Sequence, residues 1–540
     1  MSLIKAVLSN PQVPETIRQA ALDRAHRSTG LPIGEGRTES FWLKEPHPTV
    51  ARAQSGALPE KVDIAIIGSG ITGLSVAWTI LQTAKQHGRN PPSVVILEAR
   101  DACSGATGRN GGHVLETVLE YLEFKQLFGK DAAMKLTRFR LGHMPEMEAL
   151  MKDRPELRER SQLRKVEFVS VYFDEETFLA AVKSLEEFKK DMPEESQGFA
   201  SHRGEKLQTH FHLAPHAIGA ITGPAGAAWP YQLVTHLLAE LQHAFPPSTF
   251  SLETNTPVTQ ISRSSSPKPH PYTLTTPRGP LSARHIVHTT NGYISTLVPG
   301  LAGRIFPVRG QMTAQGPGAR FPFRPSLEEP RHSWLFNYAN GGFDYLTQLP
   351  HSSSSSSSST TAAPPLSDGE LMLGGGLAAT HHRGVDEVGV ARDDAYGDVH
   401  VDIHLSGALE AVFGRENWGG QAAGVKAMWT GVMGFSADGF PWVGELLGGL
   451  TGREEKEEGE EVGVGGARGG GAEWAAAGYS GEGMVHAWLS GKAVGIMVLV
   501  REGVLAEGDG EEVRSWLPEQ LWITEERVER AVLPRKVADL

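Results

Sequence analysis

The sequence predicts an α/β chain of at least two domains, and three observations carry that prediction. The first is VDIAIIGSGITG at residues 62–73. Val62, Ile64, Ala65, Ile66 and Ile67 make the near-continuous apolar run of a strand covered on both faces of a parallel sheet. Gly68, Gly70 and Gly73 follow in G-x-G-x-x-G spacing, and Leu74, Val76, Ala77, Ile80 and Leu81 continue at helical period. The second observation is VVILEAR at residues 94–100, a further apolar strand closed by Glu98. The third is length: 540 residues exceed what one core organises.

Strand, glycine turn and helix together predict a Rossmann-type nucleotide-binding unit. The glycines permit the tight turn, the approach of backbone to a pyrophosphate and close packing of helix on strand. Phosphates favour the helix N-terminus, where free N–H groups and the dipole meet negative charge. Glu98 is placed to accept from a ribose hydroxyl. It arrives later than usual, and the polar stretch 85–92 reads as the loop insertion that delays it. These residues predict an ADP-containing cofactor. Glycines chosen for packing alone would leave Glu98 unexplained.

Composition narrows the partners. Hydrophobic residues are 40% and charged residues 21%, an ordinary globular balance, and the formal charge is −12. With no basic cluster, nucleic acid and anionic membranes are not expected partners. Cys103 is the only cysteine, which excludes an intrachain disulfide and fits a reducing compartment. The basic, helix-like N-terminus lacks a signal-peptide core and carries Glu15 and Asp23, and the final Ala538-Asp539-Leu540 is not a peroxisomal address; a cytoplasmic location is expected.

In chain order, residues 28–60 read as a Pro/Gly-rich lead-in pinned by Phe41, Trp42 and Leu43. Leu115, Leu119, Leu122, Phe124 and Leu127 form an apolar helical stripe, followed by a strand at 166–173 and a helix at 175–190. Trp229-Pro230 opens a one-sided apolar helix with proline in its first turn. Strands are expected at 256–261, 272–275 and 285–288, with β-rich sequence at 307–350 and 370–375. Two stretches, 350–368 (Ser-rich) and 451–472 (Glu/Gly-rich), cannot build a core and are expected as disordered loop insertions. Each separates two apolar strands, where a long hairpin tip costs little beyond loop closure.

A second glycine-rich turn, ACSGATGRNGGH at 102–113, follows the second strand. Further pieces come in order: Val258 in PVTQI, Thr290-Asn291-Gly292-Tyr293, PVRGQM at 307–312, WTGVMG at 429–434, DGFPWVG at 438–444 and GYSGEGM at 478–484. This ordered set resembles the FAD-dependent oxidoreductases of the D-amino-acid oxidase superfamily, near the sarcosine oxidase-like and γ-glutamylputrescine oxidase-like branch, over about residues 35–505. The resemblance implies a Rossmann-type FAD-binding domain assembled from discontinuous segments (60–115, 205–300 and 425–510). It also implies a second α+β substrate domain, 116–204 and 301–424, on a mixed or antiparallel sheet. Residues 1–59 form the lead-in and 511–540 a C-terminal tail. Position by position, it implies that Gly68, Ser69, Gly70, Gly73, Glu98 and Arg100 hold the ADP half. Ala106, Thr107, Arg109, Asn110, Gly111 and Gly112 would line the pyrophosphate and flavin edge. Val258 would meet the adenine side through its backbone, and Asn291 is also implied as a cofactor-binding residue. Gly481, Glu482, Gly483 and Met484 would approach the isoalloxazine. A helix N-terminus at that last turn would stabilise the negative charge that reduction brings; a glycine needed only for its turn is the alternative.

The reaction implied is oxidation of a C–N bond of an amine or amino acid by hydride transfer to flavin, with oxygen as the expected acceptor. A flavin-dependent tailoring enzyme acting on a carbon skeleton is the alternative, and an inactive flavin-fold interaction protein a more distant one. His113 stands either as a group facing flavin or substrate and titrating near neutrality, or as one satisfied by backbone. Arg309 stands either as a clamp for a substrate carboxylate or as a tie between domains. Arg109 serves either the phosphates or its own turn, and Trp429 and Tyr345 are pocket walls or core. Relatives with a cysteinyl flavin carry that cysteine near the C-terminal motif, where this chain has none, so non-covalent FAD is expected. No metal is expected, because His381-His382 and His285/His288 lack carboxylate or Cys spacing.

Overall fold

The computed structural model describes residues 3–264, 268–327, 329, 331–351, 367–394, 397–419, 424–453 and 471–540. Two mixed sheets organise it. In the first, strand Lys61–Ile67 lies between Gly279–His288 and Val94–Leu97, parallel to both, so that Ile67 sits level with His288 and Leu97. Phe250–Glu253 extends the parallel set beyond Val94–Leu97, and Glu473–Ala477 extends it beyond Gly279–His288. Antiparallel Trp442–Glu445 closes that edge, and the hairpin Gln260–Arg263/Tyr272–Thr276 runs out along Gly279–His288. The apolar run predicted both-sided burial, and Ile64, Ala65 and Ile66 are fully buried.

Helix Ile71–Gln86 follows the first strand, and Ala487–Arg501 packs along it. Gly491 and Gly495 make that contact close: a Cβ at either would stand 2.7 Å from Ser75 Cβ or 2.8 Å from Thr79 Cβ. The Ser75 hydroxyl donates to the Trp488 carbonyl across the interface.

The second sheet runs in the order Val425–Ser436, Ile305–Gln315, Leu371–Gly375, Phe343–Gln348, His332–Asn337, Arg164–Tyr172, Gly219–Ala227, His113–Val114, with Ala200–His202 beside Gly219–Ala227. Among the described residues of this sheet, only His332–Asn337 and Arg164–Tyr172 pair in parallel. Sequence grouped 205–300 and 425–510 with nucleotide-binding segments, yet Gly219–Ala227 and Val425–Ser436 hydrogen-bond into this second sheet. Both pair here along their length, Gly219–Ala227 with Arg164–Tyr172 and Val425–Ser436 with Ile305–Gln315, a long-range choice of partner that apolar sequence alone does not encode.

Other differences are local. The stripe at 115–127 is helical only from Tyr121 to Phe128, because Val118 has φ +55°. The stretch 256–259 is not strand, whereas Gln260–Arg263 is. Helix Ile71–Gln86 takes in part of the expected 85–92 loop. The insertions fall largely outside the described residues, at 352–366 and 454–470. The strands on either side of each do pair antiparallel, Gln348 with Leu371 and Glu445 with Trp474. At the N-terminus, helices Leu3–Leu8 and Glu15–Ala25 bury Ile4, Leu8 and Leu22 against Phe306, Phe435, Leu533 and Val537, so both ends of the chain share one core. Trp42 is fully buried, its indole N–H donating to Asn110 O while the Trp229 indole donates to Trp42 O. Among the described residues no helix is long and apolar enough to cross a membrane.

Candidate active site

Three glycine-rich turns converge on one cavity of about 1630 Å³. The first leaves strand Lys61–Ile67 at Gly68, whose φ of +111° a side chain rarely adopts. Gly70 then caps helix Ile71–Gln86 without offering a side chain, so the helix starts at the cavity wall, where Ile71 N–H donates to the Thr107 hydroxyl at 3.1 Å. Gly73 does not line the cavity; it lets the helix close onto the Gly68 carbonyl. Glu98 stands at the cavity wall accepting from Ser69 N–H (3.0 Å), the Ser69 hydroxyl (2.7 Å) and Arg100 N–H (3.0 Å). Three donors fix the carboxylate's direction, and its remaining lone pairs can accept.

The second turn coils as a 3₁₀ segment, Ala106–Arg109. Gly111 lies against the Tyr345 ring, where a Cβ would be 2.6 Å from Cε2, and Gly112 turns with φ +72° against the Ala228 carbonyl. Asn110 Oδ1 accepts from Gly112 N–H, which holds the turn's own backbone. Arg100 and Arg109 line the wall but are engaged elsewhere. Arg100 Nη1 donates to Asp393 at 2.8 Å, and Arg109 donates to Thr38 O, Ser104 O and Thr430 O with Nε 3.3 Å from Asp393. Burial brings Arg109 down to about 10, still protonated at neutral pH. Both guanidiniums therefore brace the turn from behind around a buried carboxylate that sequence spacing did not reveal.

The third turn carries Gly481, Glu482, Gly483 and Met484 to the same cavity. Tyr479, ahead of it, shares a 2.9 Å hydrogen bond with Thr72 in the first helix, and Asn291 Oδ1 accepts from Gly478 N–H. Asn291 thus spaces the turn from the end of Gly279–His288. The expected helix start comes later than Met484: Gly483–Val485 is 3₁₀ and the α-helix begins at Ala487. Val258 is buried in the wall near the first turn.

His113 faces the cavity. Its Nδ1 is 2.8 Å from Ser333 Oγ, its ring meets Tyr345 edge-on at 5.6 Å, and its Nε2 is buried with no hydrogen-bond partner among the described residues. Burial first, and Arg164 second, lower it to about 3, so the imidazole is neutral and the expected titration near neutrality is corrected. Arg309 is corrected more fully. It does not line the cavity, and its guanidinium is taken by Glu387 (2.6 Å) and Asp394 (3.1 Å). Neither role left open for it matches this geometry: Glu387 and Asp394 belong, like Arg309 itself, to the segment 301–424 expected as part of one domain, so the ion pairs lie within that segment.

One cluster went unseen in the sequence. Arg140, on helix Lys130–Leu141, ion-pairs with Glu116, with Glu120 (2.8 Å) and with Glu482 of the third turn. Burial alone would lower the Arg140 pKa; the three carboxylates outweigh it and raise it. Burial raises Glu116 to about 7 despite Arg140, so one carboxyl holds a proton near neutrality. His143 and His486 behind the turn are held down at about 3 by burial. The histidine pairs noted in sequence do find carboxylates: His285 meets Glu502 and His288 meets Glu473, both from far along the chain, while His382 meets Asp386 only four residues on, which corrects the expectation of no carboxylate spacing there.

A parallel strand set with a glycine turn at its ends, facing a glycine-walled cavity beside a second sheet, defines a protein built around a nucleotide cofactor. The cradle suits a dinucleotide: a glycine-capped helix N-terminus at its wall, a carboxylate with lone pairs left for a ribose and a volume above the roughly 300–1,000 Å³ of ordinary ligand pockets. The family profile described as DAO, FAD dependent oxidoreductase, matches residues 63–495. The chain belongs to that family and is an FAD-dependent oxidoreductase. A search of curated proteins returns no match. Among solved structures, glycine oxidase from Geobacillus kaustophilus superposes with TM-score 0.53 at 21% identity, covering 80% of this chain and 93% of its own. L-proline dehydrogenase from P. horikoshii gives 0.53 at 20%, covering 88% and 99%. L-amino acid deaminase from Proteus myxofaciens, in complex with anthranilate, gives 0.55 at 14%, covering 86% and 95%. At these identities the likeness is one of fold.

Proposed function

We propose that this enzyme oxidises the C–N bond of an amine or amino acid, with FAD bound non-covalently and oxygen as electron acceptor. The observation that carries the reading is the convergence of the three turns on one cavity, whose wall beside the third turn holds His113, Tyr345 and the Arg140 cluster. Bound FAD supplies the hydride acceptor. The chain's own residues supply position and charge. Turns 68–73 and 105–112 take the phosphates and ribose. Gly111 admits the Tyr345 ring beside the cavity, Gly481–Met484 would line the flavin ring system, and neutral His113 presents Nε2 to a bound substrate without adding charge.

Charge favours the amine arm. Each of the five arginines lining the cavity, Arg100, Arg109, Arg140, Arg527 and Arg530, lies within 4 Å of a carboxylate. Even with Glu116 holding a proton, Glu120 and Glu482 on the wall outnumber the single charge of Arg140, so this wall attracts an ammonium group better than a carboxylate. The relatives named above act on glycine, proline and amino acids by their descriptions, which keeps the amino-acid arm in the test.

The test is anaerobic titration of the yellow holoenzyme with primary, secondary and amino-acid amines, followed by admission of air. Bleaching by one class, peroxide on reoxidation, and ammonia or a carbonyl product are expected. A flavin that no amine bleaches would overturn the reading.

A further inference from the structure

We infer a divalent transition-metal site, best suited to zinc, on the outer face of the second sheet, formed by Glu167, His210 and His332. One donor atom from each of the three lies within 4.8 Å of the others. None of the three lines the cofactor cavity, so this is a separate site.

The fold brings them together from three places. Glu167 and His332 occupy directly opposed positions of the parallel pair Arg164–Tyr172 and His332–Asn337, with His332 Nδ1 3.2 Å from Glu167 Oε2. His210 ends the short helix Glu205–Thr209, which delivers its ring to 6.2 Å from that of His332. Tetrahedral zinc, with bonds of about 2.0–2.2 Å, holds neighbouring donors roughly 3.4 Å apart. The His332–Glu167 edge, at 3.2 Å, is close to that, and the His210 donor stands within 4.8 Å of both, so ligation requires the exposed His210 side chain to move inward.

Two observations distinguish this from an ordinary surface ion pair. His332 Nδ1 is buried yet has no hydrogen-bond partner of good geometry, although a carboxylate stands beside it. A donor atom next to an anion without a bond to it is what a site awaiting a cation presents. The His332 ring is also fixed in place, edge-on to Phe211 (5.8 Å), Phe323 (5.1 Å) and Trp334 (5.6 Å). Such bracing reduces the entropy lost on ligation. His202 neighbours the group but is not counted as a ligand, because its ring nitrogens face Thr222 (2.9 Å) and Lys206 (3.1 Å).

Two imidazoles and one carboxylate form a donor set of intermediate softness, suited to zinc and mismatched to magnesium or calcium. The fourth position faces solvent, where a water completes the shell. Occupancy would staple the segment after Glu205–Thr209 to two strands of the second sheet. Its consequence is stability rather than turnover.

The experiment treats holoenzyme with chelator, equilibrates it with zinc or magnesium, removes free metal by gel filtration, and measures retained metal and melting temperature. The parent should retain about one zinc per chain and melt higher with zinc but not with magnesium. His210→Ala and Glu167→Gln should each lose about tenfold or more of the zinc affinity and the thermal shift, with amine turnover unchanged. Zinc retained equally by both variants, which would place it at other surface histidines, overturns the inference. So does a parent whose melting temperature zinc leaves unmoved or magnesium raises equally.

Discussion

Replacing Gly73 with alanine tests the fold and the cofactor site together. A Cβ on Gly73 would stand 2.0 Å from the Gly68 carbonyl oxygen and 3.1 Å from Thr289 Oγ1. Ordinary contact begins at 3.4 Å, so helix and turn must part by about 1.4 Å (3.4 less 2.0). The obstacle is backbone held from two sides: Gly68 N–H donates to Leu97 O at 2.9 Å, and Gly68 O accepts from the Thr289 hydroxyl at 3.1 Å. Over-packing costs about 1–3 kcal/mol, and an anchored carbonyl puts this case at the upper end. At roughly 2–4 °C per kcal/mol in larger domains, the flavin-free protein should melt about 5–10 °C lower. FAD content should fall further, because the displaced helix N-terminus no longer meets the phosphates. Gly70→Ala is the control. Its Cβ would meet only the Thr107 side chain, nearest at Oγ1 (3.1 Å), where a shift of a few tenths of an ångström restores ordinary contact. Thermal melts with and without FAD, together with flavin absorbance relative to protein, read both effects. A Gly73→Ala protein that keeps the parent's FAD content and melting temperature would refute the reasoning. Equal damage from Gly70→Ala to the flavin-free melt would do the same.

Glu98→Ala should lower FAD occupancy and lower the melting temperature of the holoenzyme more than that of the flavin-free protein, since bound cofactor stabilises by mass action; unchanged occupancy would remove Glu98 from the ribose contact. Acid precipitation should release FAD into the supernatant, because Cys103, the only cysteine, is buried with its thiol pushed well up by burial; flavin left in the pellet contradicts non-covalent binding. Glu116 predicts a pH effect of definite sign. Its folded pKa of about 7 stands above the ordinary 4.5, so its contribution is full below pH 4.5 and is lost as pH rises through 7. The span of about 2.5 units corresponds to about 3 kcal/mol. Glu116→Gln removes that titration, so the stability of the variant relative to the parent should rise between those pH values. Parallel stability curves for the two proteins would show that Glu116 does not titrate there.

What the sequence determined by itself was what contiguous residues can state. Gly68, Gly70, Gly73 and Glu98 announce a nucleotide site because strand, turn, helix and acid lie within one short unit, and each residue's task is local. The Pro230–Ala244 and Glu175–Asp191 helices were legible for the same reason, through periodicity and their first residues. Tertiary structure alone decided the partners of the charged groups. Asp393 finds Arg100 and Arg109 from nearly three hundred positions away, Glu482 reaches Arg140 across 342, and Tyr479 meets Thr72 across 407. No pattern along the chain encodes such pairs, because side-chain electrostatics depends on distance in space while sequence records distance along the backbone. The same limit explains Arg309, whose strand was recognisable but whose guanidinium had its direction chosen by Glu387 and Asp394. It explains His113 as well: its place beside the glycines could be read, but its neutrality came from the burial that folding imposed.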